Sequence, residues 1–422
     1  MLFVVQRYGI EVAGGAEQHC RQFATRLAAR GHEVHVLTSR ARSAADWADS
    51  YPPAQTELDG VTVHRIGVAR AKDEAAFDDL TVRQIWGRPP PALAVQERWL
   101  REQGPDLDGL VAWLEQEAGG FDVVVFFTYL FTTCWAGLPA VAGRVPTVLH
   151  ATAHDEPYFW LPVFDTVLRL PSVYAWSTEE ERALLARRGA GRRPGTVVGV
   201  GVVAAGAGAG AVAAGAGAAG AGAAGAGSGA RFRAGVAGLG ERPYLLYVGR
   251  VTAGKGAPEL VDMFTAYKAR RGGRLALVLV GEAERGLVGP GPDRGGDVIA
   301  TGFVDDVTRS DAMAGALALV VPSHFESFSM VLCEAWAQGC PAIVQGASDV
   351  LAGQALRSGA GIPYRGRSEW EAAVDLLIDE PALGARLGDA GRRYVAKRYR
   401  WDTVLDRYER LLGLAMHVHA GR

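Results

Sequence analysis

Cysteine is scarce in this chain. Four stand among 422 residues, Cys20, Cys134, Cys333 and Cys340, and none shares the paired spacing of a zinc site or a disulfide framework. Cys20 and Cys333 fall inside apolar helical patterns, so buried, reduced thiols in a cytosolic protein are expected. An excess of charge of one sign is also missing: 44 Lys and Arg stand against 46 Asp and Glu, a formal net charge of −2. That balance leaves no electrostatic footprint for nucleic acid. A local exception, Arg182, Arg187, Arg188, Arg192 and Arg193, reads as a solvated helix face rather than a polyanion or membrane patch. The N-terminus lacks a basic stretch followed by a short apolar run and a small-residue cleavage site, so no signal peptide is expected. One segment tests the membrane question: 123–143 is uncharged and has bilayer length, but it contains Thr128, Thr132, Thr133, Gly137 and Pro139. Its opening VVVFF is a β-branched and aromatic run, which predicts a buried strand leading into a turn and helix of a soluble protein.

What is present is ample apolar material: 49% hydrophobic and 21% charged residues, enough for two or three cored domains at this length. LFVVQRYG reads as a short buried strand entering a glycine turn at 9–15, followed by a helix that stops at Gly31 and by the strand HEVHVLTS. Strand, glycine turn, helix and strand in about 40 residues make one βαβ unit. The alternation continues through GVTVHRI, FDVVVFF, PTVLHATA and SVYAWST. It restarts at YLLYVGR and runs through LALVLVG, DVIATGFV, ALALVVPS and PAIVQG before three closing helices. Two doubly wound α/β sheets are predicted. From Ala204 to Gly227 only Val212 departs from Ala and Gly. Such a tract buries almost nothing against its ordering entropy and reads as a linker. The expected divisions are an N-terminal domain over 1–200, a linker over 201–240, a C-terminal domain over 241–400 and a last helix over 401–422.

Two motifs carry chemistry. In YLLYVGRVTAGKG, 244–256, a strand ends and Arg250 and Lys255 follow on a glycine-containing loop before a helix. A fork-shaped guanidinium and a point charge at the carboxyl edge of a parallel sheet suit a diphosphate, aided by helix N-terminal amides. The spacing is not that of an NTPase P-loop. In PSHFESFSMVLCEAWAQGCP, 322–341, Glu326 lies on a loop and Glu334 about one turn into the following helix. Carboxylates accept hydrogen bonds from sugar hydroxyls, and a carboxylate on an otherwise apolar helix face is costly unless it is used. Two further features carry less. Asp106-Leu107-Asp108 reads as acidic residues capping a helix rather than as a metal-binding D-x-D. The glycine run 281–296 reads as a surface loop.

The paired glutamates resemble the E-x7-E signature of retaining glycosyltransferases of the GT-B fold, in particular family 4. The GRxxxxKG loop, GFVDD at 302–306 and the EAWAQGCPAIV run are similar to that family's C-terminal half. GGAE at 14–17 and HDEP at 154–157 are similar to parts of its N-terminal half. The resemblance implies two facing Rossmann-like domains with an interdomain cleft, and transfer of a hexose-type sugar, with retention, from a nucleoside-diphosphate sugar to an acceptor hydroxyl. It further implies that Arg250 and Lys255 hold the diphosphate and that Glu326 stands against the sugar hydroxyls. Glu334 would take the ribose, and amides around Ser329, Met330 and Val331 would cap the β-phosphate. Gly14 and Gly15 would leave room for phosphate and acceptor, and His154 would lie beside the sugar. No metal cofactor is implied. The acceptor would be a glycan or a lipid-linked molecule, in cell-surface glycan or glycolipid synthesis, with at most peripheral contact at the inner membrane face. Ser327 and Ser329 depart from the family's EGFGLP run, where glycines stand.

Other readings stay open. A sugar-nucleotide epimerase or a glycan phosphorylase would share this two-domain architecture. From different classes come a non-catalytic sugar-nucleotide-binding relative and an NAD-dependent oxidoreductase, which would need Glu33 as its ribose-binding acid. Acceptor choice is expected to lie in first-domain loops such as 40–60 and 72–98.

Overall fold

The computed structural model describes residues 1–422 except 13, 87–88, 191–192, 204–226, 285–295 and 422. Residues 204–226 of the linker and most of the 281–296 loop therefore lie outside the described residues, while the helix Gly229–Gly235 falls within the linker range. The chain divides into two units, Met1–Gly199 with Val404–Arg422, and Val200–Thr403.

The first unit is an eight-stranded sheet in the order β3-β4-β2-β1-β5-β6-β7-β8. Its strands are β1 (Leu2–Val4), β2 (His35–Ser39), β3 (Thr56–Leu58), β4 (Val61–Ile66), β5 (Val124–Phe127), β6 (Thr147–His150), β7 (Val173–Trp176) and β8 (Gly195–Val197). Every described pairing is parallel except β3 with β4. The sequences VVFF, TVLH and VYAW are buried at every position, as strands covered on both faces require. The uncharged 123–143 segment is β5 followed by the short helices Thr132–Trp135 and Gly137–Val141. No described helix is long and apolar enough to cross a membrane.

Some details correct the sequence reading. The antiparallel β3 was not foreseen, and the 72–98 stretch carries the helix Glu74–Leu80 and the start of Leu93–Gln103 rather than a plain loop. Asp106 and Asp108 do not cap the Leu110–Glu117 helix, whose N-cap is Gly109 at φ 79 with no side-chain bond. Their backbones are instead pinned to the 67–69 segment, Ala69 N–H to Asp106 O at 2.8 Å and Asp108 N–H to Gly67 O at 3.1 Å. That cross-chain pairing fixes them ahead of the helix.

The second unit is a six-stranded sheet in the order β11-β10-β9-β12-β13-β14. Its strands are β9 (Tyr244–Val248), β10 (Ala276–Val280), β11 (Val298–Gly302), β12 (Ala318–Val321), β13 (Ala342–Gln345) and β14 (Gly361–Tyr364), and all are parallel. Each unit is thus a Rossmann-like α/β sheet, and all four cysteines are free and buried.

The last helix, Trp401–Ala420, joins the first unit from Val404 onward. Arg407 donates to the Val198 carbonyl at 2.6 Å, and the Tyr408 hydroxyl lies 3.1 Å from His150 Nε2. His19, Phe23 and His150 form an aromatic cluster with Tyr408. His19 Nε2 and His150 Nδ1 have no hydrogen-bond partner among the described residues. Burial pushes the His19 pKa down to about 3 and that of His150 well below its ordinary value.

Both imidazoles are therefore carried neutral. Between pH 6.5 and about 3 the folded state binds fewer protons at His19 than the unfolded chain does. Stability from this group is thus full above that window and falls as pH drops through it, by about 1.4 kcal/mol per pH unit. Urea unfolding of wild type and His19→Leu at about pH 7.5 and 5 should show the wild type losing more stability by that slope. Parallel losses in the two proteins would refute the assignment.

Candidate functional site

Strand order reverses at β9, whose neighbours are β10 on one side and β12 on the other. A switch point of this kind opens a crevice at the carboxyl ends of the strands. The loop after β9 and the loop after β12 flank it. Gly256 brings the two loops together. It begins the Ala257–Arg271 helix at φ +72, and a Cβ there would stand 2.7 Å from the Pro322 carbonyl oxygen. Only glycine meets both conditions without strain. The approach sets Lys255 Nζ 2.8 Å from Glu326 Oε1, with the carboxylate side chain 16% exposed. Arg250 is exposed, and its side chain holds no hydrogen bond or ion pair among the described residues. Its carbonyl accepts the Tyr247 hydroxyl at 2.6 Å.

After Glu326 the chain runs to the helix Met330–Ala337, whose N-cap is Ser329 at φ 64 and ψ 79. A side chain in the left-handed region costs about 1–2 kcal/mol, which is the physical content of the departure from glycine at this position. The Ser329 hydroxyl is buried without a partner among the described residues. As the first residues of a helix, Met330 and Val331 present amides with no intrahelical acceptor. Glu334 follows one turn later. Arg309 Nη2 stands 3.4 Å from its Oε1 and 3.1 Å from Asp306 Oδ1. Burial pushes the Glu334 pKa up, the Arg309 guanidinium opposes that shift, and Asp306 adds to it.

Arg250, Lys255, Glu326, Ser329, Met330, Val331 and Glu334 thus lie on the segments that follow two neighbouring central strands of the second unit's sheet, β9 and β12. Gly14, Gly15 and His154 belong to the first unit. Gly14 precedes the Gly15–Ala29 helix, and a Cβ on it would lie 2.2 Å from Glu17 Oε2. Glu17 is tied to Arg7 through Nη2 at 2.6 Å and Nε at 2.9 Å. The GGAE turn therefore makes room for a buried ion pair, whereas Gly15 is exposed and a Cβ there would meet nothing within 4 Å. His154 lies beyond β6, partly exposed, with Nδ1 3.6 Å from Glu156 Oε1.

Glu33 is where the oxidoreductase reading fails. It precedes β2, at the amino end of the strand, and its side chain is 88% exposed against His35. A ribose-binding acid in a dinucleotide fold serves the opposite, carboxyl edge. Among the described residues no group of three or more His, Cys, Asp or Glu could hold a metal ion. Sequence reasoning missed Arg309, for which the only signal was its place one turn after Asp306 behind GFVDD.

Comparison with known proteins finds matches to both halves of the chain. The family model "Glycosyltransferase Family 4" matches residues 13–204 and "Glycosyl transferases group 1" matches 242–380. The chain is 29% identical to the D-inositol 3-phosphate glycosyltransferase of Kineococcus radiotolerans over 93% of this chain and 89% of that protein. It is 26% identical to the glycogen synthase of Mycobacterium tuberculosis over 96% and 92% respectively. In fold it is similar to the sucrose-phosphate synthase of Thermosynechococcus elongatus, with a TM-score of 0.68 at 17% identity, covering 100% of this chain and 99% of the other. HepE of Anabaena, in complex with UDP and glucose, gives 0.67 at 16% identity, covering 98% of each chain.

Proposed function

Because this chain belongs to family 4 of the glycosyltransferases (glycosyl transferases group 1) with the GT-B fold, we propose that its second unit holds a nucleoside-diphosphate sugar. The reaction moves a hexose-type sugar to an acceptor hydroxyl with retention at the anomeric carbon. The observation that carries this reading is the Lys255–Glu326 pair at the strand-order reversal, 2.8 Å apart, with Glu334 on the adjoining helix.

Each group has a part in the chemistry. The bond from the anomeric carbon to the leaving diphosphate breaks, and a bond to the acceptor oxygen forms. Negative charge grows on the diphosphate, where Arg250, Lys255 and the amides of Met330 and Val331 stabilise it. Glu326 anchors sugar hydroxyls, and the departing phosphate takes the acceptor's proton. Glu334, whose burial Arg309 partly offsets, accepts the ribose hydroxyls. These cations take the place of a divalent metal in the proposal. Gly14, Gly15 and His154 serve the sugar and the acceptor from the first unit. The acceptor is a glycan or lipid-linked molecule in cell-surface synthesis; a relative named glycogen synthase supports a glycan.

Thermal unfolding with UDP, GDP, ADP and NAD, on wild type and Glu334→Ala, tests the donor site. A ligand that binds the folded state raises the midpoint by mass action. One nucleoside diphosphate should stabilise the wild type, with the shift largely lost in Glu334→Ala. Stabilisation by NAD alone, or an undiminished shift in the variant, would overturn the reading.

A further inference from the structure

Two threonines of the first unit hold a backbone conformation that β-branched residues avoid. Thr128 has φ 57 and Thr152 has φ 50. They follow the paired strands β5 and β6, and the Thr152 hydroxyl donates to the Thr128 hydroxyl oxygen at 2.7 Å. Such strain persists only where the surroundings over-determine the chain.

A second tie acts one residue further on. The Ala153 amide donates to Glu181 Oε1 at 2.8 Å, and Glu181 Oε2 accepts the Ser177 amide at 2.5 Å. Glu181 is the third residue of the helix Glu179–Arg187 and is 1% exposed. Its bond to Ser177 and the return bond from its own amide to the Thr178 hydroxyl, 3.1 Å, are those of a helix cap. The bond to Ala153 spans 28 residues and serves no cap. No ion pair to this carboxylate is found among the described residues; burial pushes its pKa up to about 7, against its hydrogen bonds from the Ser177 and Ala153 amides and the charge of the nearby His154. A buried carboxylate without an ion-pair partner is an expensive way to cap a helix, and the bond to Ala153 lies outside the cap.

We propose that Glu181 is a positioning residue for His154: together with the Thr128–Thr152 hydroxyl pair it holds the Thr152–Ala153–His154 segment in the one conformation that presents the imidazole. The proposal rests on the reading of His154 as a residue of the transfer reaction.

The test is a double-mutant cycle of Glu181→Gln and His154→Ala. It is followed as nucleoside-diphosphate release from UDP-glucose, GDP-mannose and ADP-glucose with D-inositol 3-phosphate or glucose as acceptor, beside the thermal shift given by the nucleoside diphosphate. Glu181→Gln should lower kcat about tenfold or more, with donor KM and the thermal shift unchanged, and should cause no further loss in the His154→Ala background. Multiplying losses, or an unchanged kcat in well-folded Glu181→Gln, would overturn the positioning role alone. An unchanged kcat in His154→Ala would overturn the reading of His154 itself. If Glu181→Gln does not fold, Thr128→Val removes the other tie and must show the same loss, absent in the His154→Ala background.

Discussion

Glu326→Gln should separate binding from transfer: turnover falls by about 10²–10³, while the nucleoside diphosphate binds as well as before or severalfold more tightly. The reason lies in the pairing across the two loops. Lys255 pairs with Glu326 at 2.8 Å. Glutamine keeps the shape and removes the negative charge, which leaves the ammonium to the incoming diphosphate and relieves like-charge repulsion against it. The carboxylate's proposed hold on the sugar hydroxyls is lost at the same time, so the reacting carbon is less well placed and the charge that develops there less well matched. Isothermal titration with the stabilising nucleoside diphosphate and initial rates with its sugar would show the split. A variant that loses binding and turnover in equal measure would assign Glu326 to the diphosphate rather than to the sugar.

Gly256→Ala should destabilise the protein by about 3 kcal/mol and abolish the nucleotide-induced thermal shift. Two costs add here. The first is a side chain at φ +72, worth about 1–2 kcal/mol. The second is a Cβ placed 2.7 Å from the Pro322 carbonyl oxygen, an overpacking of about 1–3 kcal/mol. The relief available is for the β9 loop to move off the β12 loop, which pulls Lys255 from Glu326. Gly254→Ala is the internal control, since a Cβ there meets nothing within 4 Å and its backbone is not left-handed. It should change the urea midpoint little. Equal effects at 254 and 256 would show that the close approach of the loops is not what the glycine permits.

Much of this architecture was readable before the structure. The β-branched run at 123–127, the alternation at 61–66 and the restart at 244–248 predicted strands where β5, β4 and β9 lie. The helix after Gly256 and the helix bearing Glu334 follow from apolar spacing and glycine ends in the same way. These are local properties: side-chain periodicity and backbone freedom act within a few residues, so they survive in a sequence read alone. For the same reason the spacing of Glu326 and Glu334 was enough to suggest a loop carboxylate and a helical one.

The β3 hairpin and the Glu74–Leu80 helix are local features that the sequence reading missed; the other misreadings were non-local. Asp106 and Asp108 had the composition of a helix cap, but a pairing with residues 67–69 claimed their backbone first. Glu33 had the right count after the glycine turn and the wrong end of the strand. The partners of the proposed site residues were equally hidden: Lys255 meets a carboxylate 71 positions away, and Glu334 meets Arg309 across 25. Neither contact leaves a mark in the spacing of either segment. Sequence alone therefore determined which segments become strands and helices and which charged residues stand at their ends. Strand order in each sheet decided which of those ends become neighbours, because the order is set by burying the apolar faces of distant segments together, and only then do Lys255 and Glu326, and Arg309 and Glu334, come within reach of each other.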